Sequence, residues 1–482
     1  MRDGDPLRIE LPPSVAALLV ALHHDGEEAV LVGGCVRDLV AGEEPVDWDV
    51  ATSAPPEVVA RRFPGSTWEN PFGTVTVLDP GGGPGIQVTT YRVEAGYRDR
   101  RRPDGVTWGR SLANDLSRRD FTINAMAWLS NDPGSGAGSG RLVDPFGGAA
   151  DLRAGLLRAV GDADLRFSED ALRLVRAVRF ANRFDLRLDP TTEAAICRHA
   201  PDAAGLSGER VRDELMQTLS GAAPPSRAFV LMERLGLLAV LLPELASLRG
   251  VPQAKPLAGD ALDHSLRTAD ALAAENPALR LAGLLHDLGK ATTLADGHFL
   301  HHEQAGEPLA EQVMIRLRAP RSETTRVARL VRHHMFTYTS DWTDTAVRRF
   351  VRRVGADLLP DLFALRAADD TASGVQDPAR GGWGELRQRA AAAIAADPLE
   401  AKQLALSGDD LVAELGIRPG PAIGQLLAAL LEAVLEDPTL NSRDRLLALA
   451  RSMASGWGAG TIGDPERVPR ADDLERRSRS QR

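Results

Sequence analysis

The sequence predicts an α+β domain at the N-terminus, followed by a longer region that is almost entirely helical. Short strand-like runs are mixed with helical stretches up to about residue 150. After Asp151 the strand signals stop, and apolar residues recur at helical spacing. The chain has 482 residues. Because single hydrophobic cores stop growing near roughly 250 to 300 residues, we expect more than one domain.

Six strand-like runs define the first 150 residues. They are rich in β-branched residues and are, in order, AVLVGG, VDWDVAT, GTVTVL, IQVTTYRV, FTINAMAWL and RLVDPF. The Gly/Ser-rich residues 131–140 cannot pack a core and lie between the last two runs. They therefore predict a surface hairpin insertion.

The rest of the chain divides by composition. Helical periodicity is clear in SEDALRLVRAVRFANRF, PTTEAAICRHA, GERVRDELMQTL and PPSRAFVLMERLGLLAVLLPEL. The Pro/Gly-rich residues 247–261 predict an inter-domain boundary, and the polar residues beyond 456 predict a disordered tail. The expected segments are an α+β domain 1–150, a helical region 151–250, a second helical domain 255–375, a C-terminal helical region 376–455 and a tail 456–482.

Composition and charge narrow the class of protein. Apolar residues make up 43% and charged residues 26%, as in ordinary globular proteins. There is no run of about 18 apolar residues and no signal-peptide pattern, so we expect a cytoplasmic protein without a membrane partner. Cys35 and Cys197 lie far apart in the sequence and are expected to be free thiols.

Arginines concentrate in two places although the net charge is -10. Eight lie between Arg92 and Arg119 against four acidic residues, and six lie between Arg166 and Arg187 against three. The net charge argues against wholesale coating of nucleic acid, but two basic islands predict a local anionic ligand. Stray arginines on solvated faces are the alternative for either island alone.

The stretch LVGGCVRD predicts a strand that ends at Gly33-Gly34 and a helix that begins just after it. Glycines there let the backbone approach a ligand, and the free N–H groups of a helix start suit a phosphate. Arg37, one turn into the helix, can add charge-assisted hydrogen bonds. A tight structural turn is the alternative.

Asp47 and Asp49 follow in VDWDVAT, which reads as a strand. Residues i and i+2 of a strand point to the same face, so the two carboxylates are expected to lie side by side. A divalent cation relieves their repulsion, and Mg²⁺ commonly bridges carboxylates to substrate phosphates. The arrangement predicts metal-dependent nucleotidyl transfer. A solvated edge strand is the alternative.

Five motifs in order carry a resemblance to a known family. LVGGCVRDLVAGEEPVDWDVAT, SLANDLSRRDFTINAMAW, LVDPFGGAADLRAGLLRAVGD, FSEDALRLVRAVRFANRF and GERVRDEL resemble the motifs of the bacterial class II tRNA nucleotidyltransferases, the CCA-adding enzymes and their poly(A) polymerase relatives. The resemblance covers residues 31 to about 220. It implies a polymerase-beta-like nucleotidyltransferase head followed by an all-α neck and body.

The resemblance also implies roles for individual residues. Gly34 and Arg37 would bind the triphosphate, and Asp47 and Asp49 would be catalytic and hold Mg²⁺. Arg119 would lie on the sugar and phosphate side of the incoming nucleotide. The remaining candidates lie in the EDALR segment and just after it, where Asp170 and Arg173 would read the base and Arg176 and Arg179 would contact the nucleotide or primer end.

Base reading by Asp170 and Arg173 also has a chemical argument. The two residues are one helical turn apart and therefore neighbours. A carboxylate that accepts from an amino group and a guanidinium that donates to a ring acceptor suit both cytosine and adenine. Guanine and uracil present a carbonyl instead of the amino group, so both contacts fail. A simple i,i+3 salt bridge is the alternative.

Two further features bear on activity. The segment GIQVTTYR has Gln87 where the resemblance leads us to expect a third acidic residue. The basic residues 91–108 form a long segment that, in the resembling family, is associated with the switch from C to A addition. Its completeness favours addition of the full CCA end, and a loop that only holds tRNA phosphate is the alternative.

Seven of the ten histidines lie between His264 and His334, and LAGLLHDLGK places His286 beside Asp287. Scattered His and Asp residues on several helices suit a divalent metal site. The region resembles an HD-type phosphohydrolase domain. That resemblance makes His264, His286, Asp287 and Asp369 candidate ligands of a divalent transition metal, with His302 and His333 at a second position and Lys290 near phosphate.

These observations predict an enzyme that adds C, C and A to the tRNA 3′ end from CTP and ATP, with an all-α HD domain after the neck. An A-adding enzyme or a poly(A) polymerase of the same architecture is the first alternative. An HD phosphohydrolase with an RNA-binding head is the second, and a catalytically idle tRNA-binding module is the third. The sequence assigns no oligomeric state.

Overall fold

The computed structural model describes most of the chain and divides it into two compact units, residues 1–331 and 332–482. The described ranges are 1–68, 73–78, 85–95, 105–132, 138–253, 255–295, 298–374 and 382–456. Three predicted features therefore lie outside the described residues at least in part: the centre of the basic segment (96–104), the centre of the hairpin insertion (133–137) and the tail (457–482).

A seven-stranded mixed sheet forms the N-terminal part of the first unit. Its strands, with those of a small β6–β7 hairpin, are β1 (Pro6–Arg8), β2 (Ala29–Val32), β3 (Asp49–Thr52), β4 (Thr74–Val77), β5 (Ile86–Thr90), β6 (Arg92–Ala95), β7 (Gly105–Trp108), β8 (Ala127–Ser130) and β9 (Ser139–Val143). The order in the large sheet is β1-β9-β8-β2-β3-β5-β4. Among the described strands of this sheet, only β3 and β5 pair in parallel, and the other neighbours are antiparallel.

Central strand β2 is buried on both faces, which explains its unbroken apolar sequence AVLV. Leu31 packs in one core with the first helix and with Trp128. Val30 and Val32 point to the opposite face, where they pack with Tyr91 and Leu116. By strand register, Asp49 lies on this second face.

Helices surround the sheet and then form the rest of the first unit. In the sheet region they are α1 (Pro13–His24), α2 (Gly34–Ala41), α3 (Pro56–Arg62), α4 (Leu112–Ser117) and α5 (Gly148–Arg153). The following helices are α6 (Ala163–Glu169), α7 (Leu172–Arg183), α8 (Pro190–His199), α9 (Gly208–Leu219), α10 (Pro225–Arg234), α11 (Leu237–Leu241), α12 (Pro243–Ala246), α13 (Ala261–Asp270), α14 (Pro277–Leu285), α15 (Lys290–Thr293), α16 (His302–Arg316) and α17 (Arg321–His333), whose last two residues belong to the second unit.

The second unit is helical in the residues that the structure describes. It contains α18 (Asp344–Val354), α19 (Leu359–Ala372), α20 (Trp383–Ala396), α21 (Gly408–Leu415), α22 (Pro421–Glu436) and α23 (Arg443–Gly456). After residue 143, the described strands are only two residues long: β10 (Leu156–Leu157), β11 (Arg187–Leu188), β12 (Leu294–Ala295) and β13 (His298–Phe299). The predicted α+β head followed by all-α regions is confirmed.

Helix α7 carries several of the predicted site residues. Its apolar residues Leu174, Val175 and Val178 are buried, while arginines recur every three residues along it. Asp170, in extended conformation, separates it from α6, and the backbone N–H of Leu172 donates to the Asp170 carboxylate. This break places Asp170 at the start of α7. No helix in the described part of the chain combines the length and apolar character needed to cross a bilayer.

We predict that Gly140→Ala destabilises the sheet. Gly140 lies on β9, and a Cβ there would stand 2.3 Å from Cε2 of Trp128 and 2.5 Å from the carbonyl oxygen of Leu129. Overpacking of this kind costs about 1 to 3 kcal/mol of unfolding free energy. Thermal unfolding followed by circular dichroism should show a lower midpoint. Gly205→Ala is the matched control, because a Cβ at Gly205 meets nothing within 4 Å; an unchanged Gly140→Ala midpoint contradicts the close packing.

Candidate functional site

A cavity of about 520 Å³ at the β3–β5 side of the sheet gathers most of the predicted head residues. The predicted residues that line it are Gly34, Arg37, Asp49, Arg119, Asp170, Arg173 and Arg176. Asp47 and Arg179 are not among the described residues that line it. The cavity therefore extends from strands β3 and β5 of the sheet to the start of α7.

The Gly33-Gly34 turn forms one wall of this cavity. Gly33 has φ 71°, and a Cβ there would approach Nη1 of Arg119 to 2.8 Å, so the position requires glycine. Helix α2 begins at Gly34, and its first N–H groups lack partners within the helix. The turn thus offers backbone donors next to a guanidinium, which suits a phosphate.

Arg37 is buried at the cavity wall and is fixed in direction. Its Nε donates to Asp38 (2.9 Å) and its Nη1 donates to the side chain of Asn124 (2.8 Å). Its guanidinium also lies 4.2 Å from the ring centre of Phe184. Burial lowers the pKa of Arg37, and Asp38 acts in the opposite direction.

The two aspartates of VDWDVAT differ in their surroundings. Strand β3 begins only at Asp49, so Asp47 lies in the preceding loop, where it is exposed, and the expected i,i+2 strand geometry does not apply to it. Burial raises the pKa of Asp49; Asp47 acts in the same direction and Arg119 opposes it. The carboxylate oxygens of Asp47 and Asp49 are hard donors of the kind that fits Mg²⁺.

Gln87 lies next to Asp49 on the parallel neighbouring strand. The two Cα positions are register partners, so both side chains emerge on the same face of the sheet, and both line the cavity. Gln87 thus occupies the position at which a third acidic residue was expected, with a neutral amide in its place.

Asp115 is a site residue that the sequence interpretation missed. It is 1% exposed and accepts hydrogen bonds from Arg118 and from Nη2 of Arg119 (3.2 Å). Burial acts to raise its pKa, but the two guanidiniums outweigh burial and hold the pKa below its usual value. The spacing carries a signal, since an acid on a helix can pair with an arginine four residues later, just beyond the helix end.

Asp170 and Arg173 both line the cavity, and each is held by another partner. Arg210 of α9 donates from Nη1 and Nη2 to the two oxygens of Asp170, at 3.1 and 2.7 Å. Arg173 donates to Glu169 (2.6 Å) and to the carbonyl oxygens of Arg166 and Arg118. Arg210 was missed because it lies 40 residues from Asp170 in sequence.

Arg176 and Arg179 belong to a network between α7, α9 and the sheet domain. Arg176 donates from Nε to Asp120 (2.8 Å) and pairs with Glu214 at 3.4 Å. Arg179 donates to the other oxygen of Glu214 at 2.5 Å and is buried. Burial acts to lower the pKa of Arg176, but Asp120 and Glu214 outweigh it and raise the pKa.

A second cluster surrounds Asp287 in the first unit. Its carboxylate lies 3.5 Å from Nε2 of His264, 3.2 Å from Nε2 of His286 and 3.3 Å from Nε2 of His302, and it accepts from Nζ of Lys290 at 2.6 Å. Burial acts to raise the pKa of Asp287, but His286 and Lys290 outweigh burial and hold the pKa well below its usual value. The Nδ1 of His286 bonds the carbonyl oxygen of Gly283 (2.7 Å), which leaves Nε2 directed at Asp287.

The donors of this cluster fit a divalent metal, because imidazole nitrogens and a carboxylate oxygen suit transition metals. The predicted residues His264, His286 and Asp287 thus come together in the first unit, with His302 and Lys290 beside them. Asp369 and His333 belong to the second unit, where Asp369 is buried on α19.

Three families match the chain in the order of its structure. Residues 29–158 match the family described as Poly A polymerase head domain. Residues 185–248 match the family described as a probable RNA and SrmB-binding site of polymerase A. Residues 261–374 match the HD domain.

Whole-length relatives give a finer comparison. A CCA-adding enzyme of Lactiplantibacillus plantarum is 34% identical, with 89% of this chain and 93% of the relative covered. An A-adding tRNA nucleotidyltransferase of Deinococcus radiodurans is 36% identical, with 84% and 91% covered. Among solved structures, the Bacillus stearothermophilus CCA-adding enzyme in complex with CTP is 29% identical, with a TM-score of 0.68 over 92% of this chain and 99% of that chain.

We predict that Asp115→Asn weakens the fold at neutral pH and loses this effect in acid. Loss of the buried negative charge and of one of the two oxygens that accept from the arginines costs about 1 to 3 kcal/mol of unfolding free energy. A carboxyl whose pKa is lowered by folding stabilises the native state above its unfolded pKa, near 4, and this stabilisation is lost as the pH falls through the folded pKa. Urea unfolding should show a lower unfolding free energy for the variant than for the unmutated protein at pH 7. This difference should shrink in steps below pH 4.

The matched control is Asp164→Asn. Arg198 also lowers the pKa of Asp164, but this pair is exposed. Because exposed pairs contribute little, the control should unfold almost like the unmutated protein at every pH. An equal loss in both variants argues against a structural role for the buried Asp115 pairs.

Proposed function

The chain belongs to the metal-dependent tRNA nucleotidyltransferase family of the CCA-adding enzymes, and we propose that it adds C, C and A in turn to the tRNA 3′ end from CTP and ATP. In this reaction the 3′ hydroxyl of the tRNA attacks the α-phosphate of the nucleotide, and pyrophosphate leaves. The observation that carries the proposal is the single cavity that joins the glycine turn, Asp49 and the Asp170/Arg173 pair.

Asp47 and Asp49 would hold Mg²⁺ in the head. When bound, Mg²⁺ lowers the pKa of the attacking hydroxyl and neutralises charge on the leaving pyrophosphate. The raised pKa of Asp49 supports this role, because a carboxylate that is costly to ionise alone gains from a nearby cation. Gln87 leaves this donor set with two acidic side chains from the VDWDVAT segment.

The glycine turn and two arginines would position the triphosphate. Amides at the start of α2 and the guanidinium of Arg119 both face the cavity, next to Asp49. Arg37 adds a fixed positive charge from the wall. Because little covalent chemistry falls to the protein in such a transfer, positioning and charge neutralisation supply most of the rate enhancement.

Asp170 and Arg173 would select the base. A carboxylate acceptor and a guanidinium donor on one wall match the amino group and ring nitrogen that cytosine and adenine share. Arg176 lies on the same wall and would contact the nucleotide or primer end, and Arg179 would support it through Glu214.

In the HD domain, His264, His286 and Asp287 of the first unit would hold a divalent transition metal, and Asp369, on α19 of the second unit, stays a candidate ligand from the sequence. The converging nitrogen and oxygen donors around Asp287 support this assignment in the first unit. Such a metal supplies Lewis acid and water activation for hydrolysis of phosphate esters. Lys290 would then lie near the substrate phosphate.

An A-adding enzyme is the second candidate function. It is favoured by the 36% identity to the A-adding enzyme of Deinococcus radiodurans over most of both chains. Such an enzyme extends only a tRNA that already ends in CC.

We predict that a tRNA transcript ending at its discriminator base gains two residues with CTP alone and three with CTP and ATP. Both nucleotides should be accepted, because cytosine and adenine share the amino group and ring nitrogen that Asp170 and Arg173 match, and we expect synthesis to stop at CCA. Products are sized on a sequencing gel with each nucleotide supplied singly and together. Extension by ATP only, and only of a transcript ending in CC, identifies the A-adding function, whereas a long A ladder identifies a poly(A) polymerase.

We also predict that Asp49→Asn and His286→Asn separate the two candidate active centres. Loss of an Mg²⁺ ligand removes several kcal/mol of transition-state stabilisation, so Asp49→Asn should slow tRNA extension by about a thousandfold. His286→Asn should extend tRNA at a normal rate and lose the hydrolysis of nucleoside 2′,3′-cyclic phosphates to ring-opened phosphomonoesters. If His286→Asn abolishes extension and Asp49→Asn does not, the head is not the transferase centre.

A further inference from the structure

The carboxylate of Asp170 is clamped from outside its own helix. Arg210 approaches it with two parallel N–H groups, and the backbone N–H of Leu172 donates to Oδ1 at 3.0 Å. A carboxylate offers about four acceptor positions, so these three contacts leave about one for a ligand. Both side chains line the cavity, which places the remaining position there.

Arg173 is fixed by a separate set of contacts. It spans the carbonyl oxygens of Arg166 and Arg118 and the carboxylate of Glu169. Three of its five N–H groups are used in this way, which leaves about two for a base. The acceptor Asp170 is therefore oriented by Arg210, and the donor Arg173 is oriented by a separate set of partners.

The location of Arg210 runs against local helix stability. It is the third residue of α9, in the first turn, where the helix dipole disfavours a positive charge. One turn later on the same helix, Glu214 pairs with Arg176 and Arg179 of α7. The pair with Asp170 is thus the contact that compensates the cation at this helix start.

We propose that Arg210 is a positioning residue that sets nucleotide specificity by holding Asp170 as a rigid acceptor. The inference rests on the function proposed above and adds a specificity determinant to it. The bidentate pair fixes the plane of the carboxylate, so that it meets the amino group of cytosine or adenine. Uracil and guanine place a carbonyl oxygen against the same carboxylate, and the two acceptors repel each other.

Without Arg210 the carboxylate can turn away from a wrong base. The penalty for uracil then falls, while the gain for cytosine also falls because its amino group loses a fixed partner. Arg210 pairs with neither Asp49 nor Asp47 in its described contacts. The loss should therefore appear in nucleotide selection and KM rather than in kcat.

The experiment compares Arg210→Gln and Arg210→Lys with the unmutated full-length protein. For Arg210→Gln, the ratio of kcat/KM for CTP to that for UTP should fall by at least about tenfold, because the fixed acceptor that rejects a carbonyl oxygen is lost. KM for CTP should rise, and kcat should change by less than about threefold. Arg210→Lys keeps the charge without the planar fork, so it should restore only part of the selectivity.

Arg212→Gln is the matched control. Arg212 lies on the same helix, its side chain is 24% exposed like that of Arg210, and it donates to Asp213 and to the carbonyl oxygen of Arg318. It should keep the selectivity of the unmutated protein. An unchanged ratio in Arg210→Gln overturns the inference, and so does an equal fall in Arg212→Gln, which would assign the effect to packing of α9.

Binding of CTP and UTP to the free protein, measured by equilibrium dialysis without tRNA, separates this inference from the proposed function. A protein that prefers CTP over UTP but does not extend tRNA contradicts the proposed function. In that case, loss of the preference in Arg210→Gln still supports the role of Arg210, and its retention overturns it.

Discussion

Ion pairs from Arg176 join the sheet domain to the helices that follow, and the geometry of the cavity depends on them. Arg176 binds Asp120, directly after Arg119 in the sheet domain, and it also binds Glu214 of α9. Asp120 is buried and Glu214 is 5% exposed, and removal of Arg176 takes the ionic partner from the buried carboxylate of Asp120. This network fixes how far Asp49 on the sheet lies from Asp170 and Arg173 at the start of α7.

Buried charged side chains are common around the cavity and around Asp287. The sheet core is apolar on both faces of β2 and contains Trp128 and Leu31 without exposed surface. Many of the buried charged side chains lie around the cavity or around Asp287, while others, such as Asp144 and Arg280, bind backbone groups elsewhere. A buried charge costs free energy unless it is paired, so the two clusters are expected to carry function rather than stability.

The sequence predicted those parts of the site that depend on neighbours along the chain. The Gly33-Gly34 turn, the placement of Asp49 on a strand and the closeness of His286 to Asp287 follow from local patterns. The extent of β3 was overestimated, because VDWDVAT has strand composition but β3 begins only at Asp49. The partner of Asp170 was missed, because a contact across 40 residues leaves no periodic signal.

The cavity also explains how an acidic protein can bind a polyanion. Several of its arginines are already paired with carboxylates: Arg119 with Asp115, Arg176 with Asp120 and Arg210 with Asp170. A paired guanidinium keeps N–H groups for a phosphate or a base and loses less rotational freedom on binding. The acids thus orient the arginines toward the cavity, and the net charge of -10 coexists with a local site for nucleotides. Recognition here depends on the direction of a few fixed donors more than on total positive charge.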